Sequence, residues 1–264
     1  MNEQWLTQRP TPKRLILSLF SSPDVVLVDS ARLISWTQLF DIEASTTRVA
    51  MGRLIREGLL RQHRRGVYSV GPKAQDQVRV ARSWVSFQSR VIDWCDEWWV
   101  INVADLGRAN KTQLRLRERA LQRLGFAQHP SSLWCRPANL SFNDRALHAW
   151  LVELGVEPRC QLMRVSQWVP ETVDSLKRLW SVDKLVDQYQ HFCHALTASQ
   201  SKLHSYSESQ AARETFILGD AVIKLINNDP MLPEPWLQGH RAALIERMKE
   251  YDRLGRQHWR SFLG

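Results

Sequence analysis

Apolar residues recur along this chain at two spacings, and the switch between them marks its most informative stretch. Between 43 and 58, Thr47, Ala50, Met51 and Leu54 fall at i, i+3, i+4 and i+7, the period of a helix stripe that faces a core. The opposite face carries Ser45, Thr46, Arg48, Val49, Gly52, Arg53 and Arg56. Gly58 follows where a left-handed residue ends a helix. Segments 59–63 and 67–70 are β-like and flank Arg64, Arg65 and Gly66, which predicts a hairpin with a basic tip.

The residues upstream complete a unit. Thr11 and Pro12 suit the cap and first position of an earlier helix with the stripe Leu15, Ile16, Leu19 and Phe20. A short β-like run spans 24–28. Ser30 can cap a second helix carrying Leu33, Trp36, Thr37 and Phe40; Ser35 with Gln38 offers a rival start as a capping box. Asp41 and Ile42 then make a tight turn. Helix, turn, helix and basic hairpin in this order predict a winged helix-turn-helix DNA-binding domain over 1–73. Small hydroxyls and arginines on one helix face suit a major groove, where base edges and phosphates both lie within reach. Ser45, Thr46 and Arg48, with Val49 beside them, are expected at base edges. Arg53, Arg56, Arg64 and Arg65 are expected on phosphates, although Arg53 and Arg56 have Glu57 as a rival partner.

Downstream, 74–95 reads as a helix with Val78, Ala81 and Val85 apolar, either a connector or a dimerisation element. A second unit over 96–168 alternates. Strand-like 98–103 precedes a helix at 111–124, with Leu114, Leu121 and Leu124 inside and Arg115, Arg117, Arg119 and Arg123 outside. Short strands at 125–128 and 132–136 are joined by His129, Pro130 and Ser131. Asn143 or Asp144 opens a helix reaching Leu154, and 160–165 is a last strand. The order β-α-β-β-α-β predicts a ferredoxin-like sandwich. The remainder, 169–264, reads as an all-helical domain. In it Leu176, Leu179, Val182, Leu185, Val186, Tyr189 and Phe192 follow one long pattern. A polar stretch at 199–208, a helix at 208–227, a rigid loop at 229–239 and a helix at 239–262 come after. The fold class is therefore α+β in three parts.

Charge sharpens the picture. The 264 residues carry a formal net charge of +9. Residues 1–80 hold 12 Lys and Arg against 7 Asp and Glu, 81–165 hold 12 against 8, and 166–264 hold 12 of each. The basic excess lies in the first two-thirds of the chain and the last third is balanced; a nucleic-acid partner is one reading of it and ordinary solubility the other. Cys95, Cys135, Cys160 and Cys193 are widely spaced and read as reduced thiols, mostly buried. Neither a signal-peptide pattern nor a run of about 20 apolar residues is present. A cytoplasmic protein without a membrane partner is expected.

Three blocks, 47–58 with the hairpin after it, 116–126 with 133–137, and 179–185 with the later loop, together resemble the PaaX family of transcriptional repressors of phenylacetate degradation. The loop is the most specific of them: Asp229, Pro230, Leu232, Pro233, Trp236 and Gly239 stand in family spacing. The resemblance implies a homodimeric repressor on a palindromic double-stranded DNA operator, released by an aryl-acetyl-CoA thioester such as phenylacetyl-CoA. It also implies the same three-part fold. One departure stands out. The family carries a His-Glu-Tyr-Arg-like polar run before the loop, whereas this chain has the mostly apolar Asp220, Ala221, Val222, Ile223 and Lys224. A different acyl-CoA is therefore the alternative effector. Arg115, Arg117, Arg119 and Arg123 are candidates for the CoA phosphates, for extra DNA contacts, or for a solvated face. Trp180, Trp236 and Trp259 are candidates for an aryl pocket or for packing.

No catalytic signature is found: neither Gly-x-Ser-x-Gly, nor a Walker glycine loop, nor His-Glu-x-x-His. No enzyme, metal or cofactor is expected. The rival readings are a metal-dependent nuclease using Asp105 at the end of the first central strand, and a protein-binding scaffold.

Overall fold

A computed structural model describes residues 10–21, 25–86, 88–130 and 132–263. The fold mixes α and β, with two antiparallel sheets. Its contacts form two compact units. The first comprises the described residues up to Val85, Phe192–Asn227 and the residues from Ile245 onward; the second comprises Ser86–His191 and Asn228–Leu244. The helices expected as a separate domain over 169–264 are thus divided between two cores. Phe216 and Trp259 stack on Trp36, while Trp180 and Trp236 stack on Trp98. Each segment belongs to the core that buries its aromatics.

In the first unit, α1 (Pro12–Leu19) opens as expected: the Thr11 hydroxyl accepts from Arg14 N–H, with Pro12 behind it. Strand β1 is only Val28–Asp29. The longer run expected at 24–28 does not form, for Val26 and Leu27 stand exposed, and Asp24 lies outside the described residues. Helix α2 (Ser30–Gln38) is capped by Asp29 rather than by Ser30 or Ser35; its carboxylate accepts from Arg32 N–H at 2.8 Å. Helix α3 (Ala44–Arg56) and the hairpin of β2 (Leu60–Arg64) and β3 (Val67–Val70) follow, and the sheet order is β1-β3-β2. Gly58 (φ +73°) and Gly66 (φ +76°) take left-handed turns after α3 and at the hairpin tip, where a side chain would be strained. Helix α4 (Gln75–Arg82) is shorter than the 74–95 pattern suggests and passes into 3-10 turns.

In the second unit, β4 (Trp98–Asn102), α5 (Lys111–Arg123), β5 (Ala127–Gln128), β6 (Leu133–Pro137), α6 (Asp144–Glu153) and β7 (Gln161–Val165) occur in the predicted order. They build a sheet of order β5-β6-β4-β7, antiparallel throughout. Ser131, expected in the β5–β6 joint, lies outside the described residues. The Asn143 side chain caps α6 by accepting from Ala146 N–H. The long pattern of 176–192 is not one helix: α7 (Pro170–Lys177) and α8 (Val182–Lys202) are separated where Trp180 turns inward to donate to Gly125 O. The polar stretch from 199 begins inside α8, and α9 (Glu208–Asn227) follows. The loop at 229–239 contains a short helix, α10 (Glu234–Leu237), before α11 (His240–Leu263). Arg117, expected outside on α5, is 2% exposed. Its guanidinium donates to Gly107 O at 2.8 Å and pairs with Glu157 at 3.3 Å. Periodicity assigns arginine to solvent by residue type, but a paired guanidinium can be enclosed.

The loop after α9 is held by a buried polar network. Asp229 accepts from Met231 N–H at 2.6 Å, from Arg241 at 3.4 Å and from the Tyr189 hydroxyl. Arg241 also pairs with Glu234 at 2.6 Å. Arg136, wholly buried, donates to the Leu124, Met231 and Pro137 carbonyls and to Asn139. Burial lowers its pKa to about 9, against the attraction of Asp229. Gly125 fits beneath, where a Cβ would meet Pro230 O at 2.0 Å. Removing Asp229 takes one of two carboxylate partners from the buried Arg241 and leaves the Met231 N–H and the Tyr189 hydroxyl without their acceptor. Asp229→Ala should therefore lower the unfolding free energy by about 3–5 kcal/mol, read as a shifted urea midpoint at an unchanged slope.

Candidate nucleic-acid interface

Helix α3 has two chemically opposite faces. Thr47, Met51 and Leu54 are buried, with Ala50 half-buried beside them. Ser45, Thr46, Arg48, Val49, Gly52, Arg53 and Arg56 are all exposed. Val49 is 72% exposed, an apolar side chain in the middle of a polar face.

What fixes this face is the support behind it. Thr47 and Thr37 share a buried 2.6 Å hydrogen bond that ties α3 to α2. The turn between these helices places Asp41 at φ +59°. Its carboxylate accepts from Arg213 at 2.9 Å, and the same guanidinium reaches Leu39 O at 3.3 Å. Periodicity in the first 73 residues could not show this brace, because Arg213 belongs to α9.

The arginines differ in how they are held. Arg53 donates Nε to Glu57 at 2.7 Å, and Lys13 shares that carboxylate at 3.2 Å. Arg48, Arg56, Arg64 and Arg65 are exposed and make no ion pair among the described residues. Arg61, exposed on β2 and equally unpaired there, belongs with them; its place in a half-exposed strand was the available signal. The hairpin is braced by β1 on one side and carries a register shift between Gln62 and Arg64. His63 and Ser69 meet across it at 2.8 Å.

In the second unit, Arg115, Arg119 and Arg123 are exposed on α5. Trp180 and Trp236 are half-buried in a cluster with Trp94 and Trp98, ring centroids 5.2–6.2 Å apart. Lys177 lies over Trp236 at 5.8 Å. No hydrogen bond or ring contact joins these arginines to these tryptophans among the described residues, so the structure does not gather them into one site. Asp105 is exposed in a 3-10 turn, and no group of three His, Cys, Asp or Glu comes together among the described residues. Cys135 is buried, and burial pushes its thiol up to about 12; Cys160 is buried as well, and Cys95 is exposed. No described helix is long and apolar enough to cross a membrane.

No protein-family model matches the chain, and no curated protein sequence does either. A solved structure of an uncharacterized protein, Rv0674 from Mycobacterium tuberculosis, is similar in fold. Its TM-score is 0.66 at 19% identity, covering 94% of this chain and 98% of its own. At that identity the likeness concerns the fold alone.

The Arg53 and Lys13 hydrogen bonds hold the Glu57 carboxyl below its ordinary value. A depressed carboxyl keeps its interactions above the unfolded pKa and loses them as pH falls through the folded one. In an NMR titration the Glu57 carboxyl should have its midpoint below that of an unpaired glutamate, and Arg53→Ala should raise it.

Proposed function

We propose that the chain is a PaaX-like transcriptional repressor that binds double-stranded DNA through α3 and the β2–β3 hairpin. The carrying observation is the exposed face of α3, where hydroxyls, arginines and one valine stand opposite the buried Thr47, Met51 and Leu54. In this reading the first 73 residues are a winged helix-turn-helix, with α2 and α3 as its helix pair and the hairpin as the wing. Residues 96–168 are a ferredoxin-like unit, whose strand order supports that assignment.

Ser45, Thr46 and Arg48 then meet base edges. Val49 adds the apolar surface that a thymine methyl accepts. Arg56, Arg64 and Arg65 meet phosphates, supported by their lack of carboxylate partners among the described residues. Arg53 is shared between Glu57 and the backbone of DNA. A homodimer doubles the contacts of one small interface and matches a palindromic operator with half-sites about one helical turn apart. An aryl-acetyl-CoA, phenylacetyl-CoA or another acyl-CoA, releases the operator by binding the DNA-incompetent state more tightly. The reading is of a cytoplasmic regulator, with no catalytic step assigned to it.

Fluorescence anisotropy on the chain's own upstream DNA tests this, with and without phenylacetyl-CoA. Arg48→Ala should cost about 1–3 kcal/mol on the operator and far less on random DNA. Arg64→Ala should weaken both alike and lower the salt slope by about one. Equal binding of operator and random DNA by the unaltered protein would sink the proposal.

A further inference from the structure

The first unit contains a pocket that the DNA-binding face does not use. It encloses about 660 Å³, mouth included, and is lined from α1 (Ser18), α4 (Ala81), α9 and α11. Four aromatic side chains wall it: Trp84, Phe216, Tyr251 and Trp259. Small residues make the room, Gly219 and Gly255 among them. A Cβ at Gly255 would meet Thr215 at 3.1 Å, and one at Gly219 would meet Met248 at 3.3 Å.

Several polar groups of the lining have partners within the fold. Thr215 donates to Ala211 O at 2.7 Å and accepts from the Trp259 indole at 3.1 Å. The Tyr251 hydroxyl is bound to Ser199 at 2.7 Å. Asp220 is paired with Arg14, and Asp252 with Arg256 at 2.8 Å. The pocket therefore offers aromatic faces, and among the described residues its lining holds one guanidinium, Arg256, which Asp252 already engages, while the other lining carboxylate, Asp220, is taken by Arg14 from outside the lining. An uncompensated charge brought there would lose its hydration without return.

We propose that this pocket binds a neutral aromatic group and that its occupancy acts on the recognition helix. The proposal rests on the DNA-binding reading for its second half only. Two of the walls, Phe216 and Trp259, stack edge-on against Trp36 at 5.4 and 5.6 Å. Trp36 lies on α2, which the Thr37–Thr47 bond ties to α3. A ring bound in the pocket rests on side chains that themselves pack on Trp36, so its occupancy reaches α2 through direct contacts. A second cavity, in the other unit, is walled by one aromatic, Trp94, and by Arg241, which Asp229 and Glu234 engage.

Phenylacetamide and phenylacetate, nearly equal in size and different in charge, are the probes. The full chain is labelled with 5-fluorotryptophan and followed by fluorine NMR, with Trp84→Phe and Trp259→Phe assigning those two resonances. Phenylacetamide should shift both saturably, bind at least tenfold more tightly than phenylacetate, and weaken DNA binding in anisotropy. Ala81→Phe and Ile223→Phe, each filling the pocket, should abolish the shifts with the melting midpoint retained. Shifts confined to Trp94, Trp180 or Trp236, equal binding of the two probes, or no shift at all would overturn the site. Pocket binding without any change in DNA affinity would overturn the coupling. A chain that shows pocket shifts but no operator preference would instead overturn the DNA-binding reading and leave the site standing.

Discussion

The burial of Trp36 is the constraint on which the first unit depends. Its indole is wholly enclosed, donates to Leu15 O at 3.2 Å and meets Phe40, Phe216 and Trp259 edge to face. Aromatic pairs of this kind combine a large buried area with a preferred geometry. One residue of α2 thereby fixes α1 from one direction and α9 and α11 from another. Helix α3 can leave one whole face to solvent because its other face rests on that support. A lone amphipathic helix of 13 residues would be marginal in water.

The second unit solves a different problem, that of ordering a loop with little regular structure. The loop backbone after α9 has few neighbours of its own kind, and side chains supply its partners instead. Asp229, Arg136, Asn139 and Arg241 meet backbone and charge from segments far apart in the chain. A polar network taken out of water specifies one arrangement when its members are satisfied, since any other leaves groups unmatched. Here burial raises the carboxyl of Asp229 and Arg241 opposes the shift. The tryptophans nearby are packing partners first: Trp94, Trp98, Trp180 and Trp236 touch one another, and Trp180 also closes the end of α5 through Gly125.

The local signals in the chain translated directly where a single helix or strand decides the outcome. The stripe of Thr47, Met51 and Leu54 faces inward and the arginine face outward, as a period of 3.6 requires. Thr11 and Asn143 cap the helices they precede, and the element order across 98–165 was readable from the alternation of periods. The same signals failed where a neighbour distant in sequence decides. Arg117 is enclosed because Glu157 and Gly107 receive it. The stripe of 176–192 breaks because Trp180 has a partner on another helix end.

What the sequence by itself determined is the face of each element: which residues of α3 meet water, where glycines turn the chain, and that the hairpin tip is basic. These depend on backbone geometry and transfer of side chains from water, both local properties. Only the tertiary structure decided how the later helices are shared between two cores, that Arg213 braces the turn before α3, and that Gly219 and Gly255 leave a pocket beside Trp36. Those outcomes depend on close packing between segments, where the space left by one side chain is set by residues that no local pattern connects to it.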